Sequence, residues 1–213
     1  AGFAWKQTGG AAQNYRGWDV PHSIATWENV LYSDTATDNK NPDLVNVTRT
    51  DGTDYMIAVF ESVSLGNNLV GIQKRTGDTW APVGVGFIGI TSQAVFGSAK
   101  VHPTILVLPT GRLMLFYAVY DQEVFAPTIQ IRMIYSDDEG TTWTTGASYT
   151  LPAPLLASTY SIQRIRAAYK DGQILLVMHS KKSTASHHDI LIQYASDDLG
   201  TTFILVKEFS GTG

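Results

Sequence analysis

Ser136-Asp137-Asp138-Glu139-Gly140-Thr141-Thr142-Trp143 returns as Ser196-Asp197-Asp198-Leu199-Gly200-Thr201-Thr202-Phe203, with 60 residues between the two glycines. A worn copy, Gly77-Asp78-Thr79-Trp80, precedes the first by 63 residues, again glycine to glycine. Self-similarity at a fixed period marks stacked supersecondary units rather than one irregular core. The motif has the chemistry of a tight turn. Gly140 and Gly200 supply the positive φ such a turn needs. Asp138 and Asp198 are placed to accept hydrogen bonds from backbone N–H groups of their own turn. Ser136 and Thr142 close the loop from either side, and Trp143 and Phe203 are expected to tuck between neighbouring sheets.

The surrounding sequence keeps the same register. Turns at Thr50-Asp51-Gly52, Pro109-Thr110-Gly111 and Lys170-Asp171-Gly172 place their glycines 59 and 61 residues apart. Short apolar runs precede them: Leu44 to Val47, Ile105 to Leu108, Ile165 to Tyr169. Others follow: Tyr55 to Phe60, Leu113 to Val119, Ile174 to Met178. A third set runs into the repeated turn: Leu69 to Lys74, Ile129 to Tyr135, Ile190 to Ala195. A fourth leaves it: Trp80 to Val85, Trp143 to Tyr149, Phe203 to Phe209. Rich in β-branched and aromatic residues and bounded by turn formers, they read as four strands per unit. The boundaries are 41–92, 93–153 and 154–213.

Residues 1–40 hold Trp5, Trp18 and Trp27 without a clean repeat and read as strand and loop belonging to a preceding unit. Ser23 to Leu31 fits either a short helix capped by Ser23 or a strand, and the β character downstream favours strand or loop. Thr35 to Pro42 reads as a polar loop, and residues 84–99 as a Gly-rich connection.

Of the 213 residues 44% are hydrophobic and 16% charged, with a net charge of −4 and no cysteine. No apolar run approaches the ~20 residues that span a bilayer, so membrane insertion is not expected. The negative balance without a basic cluster argues against nucleic acid. Disulfides and thiolate metal sites are excluded.

The two full turns resemble the Asp boxes, or BNR repeats, of sialidase-like β-propellers. The first matches at every defining position; the second has Phe203 where Trp is usual. The worn copy has Gln73 and Arg75 where Ser and Asp would stand. The resemblance covers roughly residues 41–213 and implies an all-β propeller segment of about three four-stranded blades. Propellers close with about 4 to 8 blades. A larger ring is therefore expected, completed by more blades from the same chain or by an oligomer. In the resembling families the boxes lie on the face away from the ligand site, which makes Asp138 and Asp198 structural.

The ligand face of such a propeller takes the starts of first strands and the ends of second strands. Here these are Asp43, His102 and Arg164, then Glu61, Asp121 and His179, with Lys100, Tyr120 and Arg166 as neighbours. Carboxylates, imidazoles and guanidinium groups together suit sugar hydroxyls and carboxylates. A sialidase pattern is matched loosely by Arg164-Ile165-Arg166, with Arg166 where Pro belongs, and Arg132 is a further candidate clamp. Asp189 stands where an acid/base loop would lie. Asp121, Asp189 and Glu61 are the candidate catalytic carboxylates, two being the minimum for glycoside hydrolysis.

Other motifs carry less. Gly84-Val85-Gly86-Phe87-Ile88-Gly89 spells a dinucleotide fingerprint without strand–helix context. His187-His188-Asp189 reads as a polar loop. The sequon Asn46-Val47-Thr48 lies inside an inner strand. No cofactor and no metal are expected. The reading is a module that recognises a glycan or a protein partner on an extracellular or virion-surface protein. Its alternatives are a sialidase-like glycoside hydrolase completed outside this segment and a structural module of a larger assembly.

Overall fold

The computed structural model describes residues 3–7, 14–18, 28–29, 38–64, 67–76, 79–89, 102–121, 128–150, 160–182 and 189–210, with side chains over most of these from residue 41 onward. Every regular element among them is a strand. Strands β1 (Phe3–Gln7), β2 (Asn14–Trp18) and β3 (Glu28–Asn29) form a small sheet. Three four-stranded antiparallel meanders follow. The first is β4 (Asp38–Thr48), β5 (Asp54–Ser64), β6 (Asn67–Thr76) and β7 (Thr79–Gly89). The second is β8 (Thr104–Val107), β9 (Leu113–Asp121), β10 (Thr128–Ser136) and β11 (Thr144–Thr150). The third is β12 (Tyr160–Lys170), β13 (Gln173–Lys182), β14 (Asp189–Ser196) and β15 (Ile204–Ser210). This is a partial β-propeller.

Side chains alternate across a strand with period two, and here both faces of a sheet are apolar. In β9, Leu113, Leu115 and Tyr117 join Tyr55, Ile57, Val59 and Ile72 of the first four-stranded sheet. The intervening Met114, Phe116 and Ala118 join Ile174, Leu176 and Met178 of the third. The core is thus two slabs between three sheets, each buried aliphatic side chain contributing about 1.5–3 kcal/mol. First strands β4, β8 and β12 pack side by side, β8 in the middle, and β1 packs against β4. The third and fourth strands of each four-stranded sheet break register, at Gly71/Gln73, Arg132/Ile134 and Gln193/Tyr194. Such bulges increase local twist.

The repeated turn forms from its own side chains. Asp138 Oδ1 accepts from Thr142 N at 2.8 Å and Oδ2 from Thr142 Oγ1 at 2.6 Å. Ser136 Oγ donates to Asp138 at 2.8 Å and accepts from Gly140 N at 2.9 Å. The Asp198 turn repeats the set, with Gly200 N to Ser196 Oγ at 2.8 Å and Thr202 N to Asp198 at 2.8 Å. Gly140 and Gly200 have φ of 86° and 85°. Trp143 packs on the slab between the first and second four-stranded sheets. Phe203 meets Phe116 edge-on at 5.9 Å in the next slab.

Two expectations are corrected. Residues 38–42 are not loop: β4 starts at Asp38 and pairs Asp38, Asn39 and Lys40 with Val63, Ser62 and Glu61, so backbone pairing overrides their polarity. The connection assigned to 84–99 is strand as far as Gly89. The dinucleotide fingerprint therefore lies wholly within β7. Of Ser23 to Leu31 only Glu28 and Asn29 are described, as strand.

Candidate functional site

The inner strands are tied together by one hydroxyl. Thr104 Oγ1, with Thr104 fully buried, donates to Asp43 Oδ2 at 2.6 Å and accepts from Ala167 N at 3.3 Å. Asp43 Oδ2 also accepts from Ile105 N at 3.1 Å. A threonine hydroxyl offers one donor and two acceptor positions, so this single atom joins β4, β8 and β12.

Just before these contacts the backbone departs from regular strand. Pairing of β4 with β5 shifts between Lys40 and Asp43, and that of β12 with β13 between Ile162 and Arg164. Asn41 and His102, each followed by Pro, have φ of 50° and 43°. Positive φ in non-glycine residues is uncommon and concentrates at sites where the surroundings over-determine it. Asn41, His102, Pro103, Arg164 and Arg166 border one shallow surface cleft there.

Within it, Arg166 Nη1 lies 3.7 Å from Asp43 Oδ2 and donates to Ile165 O at 3.1 Å. Asn41 Nδ2 donates to Glu61 Oε2 at 2.8 Å, and Glu61 is buried. His102 is buried at the base, whereas Arg164 is exposed. His179 is half-buried on β13, directly opposite Arg164 in the ladder. The fold therefore gathers Asp43, Glu61, His102, Arg164 and Arg166 at one end of the inner strands, with His179 beside them. Asp121 ends β9 opposite Thr128, and Asp189 opens β14 opposite Lys181. Asp121 lies ten residues after Gly111, whereas Glu61 lies nine after Gly52, so the two hold different register positions. The side chains of Asp121 and Asp189 lie outside the described residues, as do Lys100, His187 and His188.

Chemically the cleft offers guanidinium, imidazole and amide groups beside two carboxylates already engaged by the protein. Guanidinium donors in a fixed fork suit carboxylate and hydroxyl oxygens. Asp43 and Glu61, holding Thr104, Arg166 and Asn41, position the donors. Among the described residues no group of three His, Asp or Glu is placed to hold a metal ion. Sequence reasoning missed Asn41, Pro103 and Thr104. The signal for them was the repeated X-Pro pair, Asn41-Pro42 and His102-Pro103, at the start of two first strands.

The repeated turns lie at the other end of the sheets. Glu139, at φ 57°, reaches back to Arg49 and Lys74 of the preceding sheet, with Arg49 Nη2 donating to Oε2 at 2.6 Å. Arg49 adjoins the hairpin turn at Gly52, opposite the end where β4 carries Asp43. Arg49 hydrogen bonding, reinforced by Lys74, lowers the Glu139 carboxyl to about 2. The Thr142 hydroxyl and amide and the Ser136 hydroxyl lower Asp138, and their counterparts lower Asp198 to about 2.

No family model and no curated protein matches the sequence. Solved structures do. An α-L-arabinanase of Penicillium chrysogenum, complexed with arabinobiose, superposes with a TM-score of 0.56 at 16% identity, over 79% of this chain and 48% of that one. The GH93 α-L-arabinofuranosidase of Fusarium graminearum with arabinobiose gives 0.57 at 17% identity, over 81% and 48%. The Trypanosoma rangeli sialidase with the inhibitor DANA gives 0.54 at 12% identity, over 91% and 33%. At these identities the likeness establishes the fold. The chain spans about half the length of the arabinan-directed enzymes it matches.

Proposed function

We propose that this chain is a carbohydrate-recognising β-propeller module, with its glycan site in the cleft at the starts of β4, β8 and β12. The observation that carries the reading is the convergence of Asn41, His102, Arg164 and Arg166 on one cleft at three adjacent inner strands. The site's backbone irregularities and positioned carboxylates are what a preorganised polar site requires. Its blades are the units expected at 41–92, 93–153 and 154–213, the first extended back to Asp38 where β4 begins; β1–β3 belong to a preceding one, and the Ser136 and Ser196 turns are Asp boxes that fasten blades. The solved structures named above, an arabinanase, an arabinofuranosidase and a sialidase, support a glycan over a protein partner. The same role fits an extracellular or virion-surface protein.

The test is a glycan array probed with the intact chain, followed by titration of Arg164→Ala and Arg166→Ala. Loss of binding in both, with the fold retained, is expected. Binding unaltered by either change would remove this cleft from consideration. The named activities of the matched structures favour one second reading, glycoside hydrolysis. Release of sugar from arabinan or sialyl oligosaccharides, abolished by Asp121→Asn or Asp189→Asn, would place hydrolysis ahead of binding.

A further inference from the structure

Asn41 stands where β4 and β5 break register, between the paired Lys40 and Asp43, with φ of 50°. Asparagine tolerates this left-handed conformation better than most residues, so the bend alone accounts for an Asn here. It does not account for the acid beneath it. Glu61, on β5 of the same sheet, is 3% exposed, and its Oε2 accepts from Asn41 Nδ2 at 2.8 Å. Both residues lie nine past their hairpin glycines, yet the counterpart of Glu61 in the third sheet is Lys181, which is exposed. Burying a carboxylate is costly unless it is hydrogen-bonded, and the bend does not require one, since glycine would serve.

The bond fixes which way the amide faces. A carboxylate only accepts, whereas an amide has a donor end and an acceptor end. Nδ2 is therefore used inside the protein and Oδ1 is turned away from Glu61. Among the described residues Oδ1 has no hydrogen-bond partner. Asn41 borders the cleft together with Arg164 and Arg166, whose guanidinium groups only donate. What Asn41 adds to that cleft is an acceptor of fixed direction.

We propose that Asn41 is a specificity-determining residue of the cleft. Its Oδ1 accepts from one hydroxyl of the bound sugar. Glu61, too deep for the ligand to reach, is the positioning residue that keeps that oxygen outward. The inference rests on the glycan reading above and adds to it a rule of ligand chemistry. At this point the site takes a free hydroxyl, which donates. It refuses the same position blocked as a methyl ether, which only accepts and would set oxygen against oxygen. The two carboxylates thereby have different tasks: Asp43 ties the inner strands, and Glu61 orients an amide.

NMR titration of the intact chain with arabinobiose and with sialyllactose tests it, followed by the singly deoxygenated and singly O-methylated forms of the sugar that binds. At one hydroxyl, each modification should weaken binding to the wild type about 3- to 10-fold, the worth of one hydrogen bond. Asn41→Gly keeps the backbone conformation accessible and removes the amide. It should bind the parent sugar correspondingly less well and no longer distinguish the modified forms. Glu61→Gln supplies a donor that lets the Asn41 amide turn round, so it should narrow the gap between hydroxyl and methyl ether. A purely structural role would weaken parent and modified sugars in proportion; an unchanged ratio in Asn41→Gly overturns the proposal. So does wild-type affinity for the parent sugar in that variant. Far-UV circular dichroism checks each fold, and a Glu61→Gln that does not fold leaves Asn41→Gly to decide. Binding lost in Arg166→Ala but indifferent to Asn41→Gly keeps the glycan site and overturns the role of Asn41. Failure of both sugars to bind at millimolar concentration also overturns it, and a positive glycan array would then leave the site standing without it.

Discussion

Thr104 joins three sheets through one oxygen, and that makes it the most informative single atom at the axis. Thr104→Val keeps the shape but removes both the donor to Asp43 and the acceptor for Ala167 N. An unsatisfied buried polar group costs about 1–3 kcal/mol; urea denaturation should show a loss in that range, and Thr104→Ser should restore most of it. The turn carboxylates give a pH signature of definite sign. Glu139 and Asp198 fall from 4.5 and 3.8 to about 2 on folding, and Asp138 falls in the same direction. A lowered carboxyl stabilises the folded state fully above its unfolded value and loses that contribution as pH falls through the folded value. Acid should therefore weaken the protein between about pH 4.5 and pH 2. Asp198→Asn should flatten the melting-temperature profile in that window; an unchanged slope would contradict the role assigned to the turn.

At the scale of the element, two glycines in strands separate rigid from yielding neighbours. A Cβ on Gly71 would lie 2.2 Å from the Phe60 ring, and Phe60 is buried. A Cβ on Gly146 would meet chiefly the methyl end of Met133, at 2.4 Å. Overpacking costs about 1–3 kcal/mol, while methionine adapts. Thermal melts should thus show Gly71→Ala well below Gly146→Ala; equal losses would mean that Phe60 moves as freely as Met133. The strands themselves were legible because Leu113 to Val119 and its counterparts combine β-branched and aromatic residues with glycine turns at a fixed interval. The start of β4 was not. Asp38, Asn39, Lys40 and Asn41 have poor strand propensity, and Pro42 lacks a donor, yet the first three pair with β5 before a bulge admits the proline. The site was legible in part for the same reason. Asp43 and His102 each lie nine residues before their hairpin glycines and Arg164 eight before its own, so counting back reaches them to within the one residue by which β12 breaks register. Asn41 sits where β4 and β5 break register, and it and Thr104 were marked only by the repeated X-Pro pair, which strand periodicity does not weigh.

For the whole molecule the question is whether three stacked sheets behave as one cooperative unit. In stacked repeats, stability is the sum of intrinsic terms and nearest-neighbour interfaces. Here the intrinsic term is weak, because each sheet buries its apolar faces only against a neighbour. Ile57 belongs to the slab between the first and second four-stranded sheets, and Ile174 to the slab between the second and third. Both are fully buried. The second sheet contributes alternate residues of β9 to each slab, so losing one slab strips half the support from the sheet that holds the other. Coupling should be strong. Ile57→Ala and Ile174→Ala should each cost about 2–5 kcal/mol. Each should shift a single urea transition without splitting it. With the other four tryptophans changed to Phe, Trp143 reports on the first slab and far-UV circular dichroism on all sheets, so in that background the two signals should coincide with and without either variant. Separation of the tryptophan signal from the dichroism in Ile57→Ala, with the remaining signal unfolding at the wild-type midpoint, would show that the slabs are independent and that the chain is a string of sheets rather than one domain.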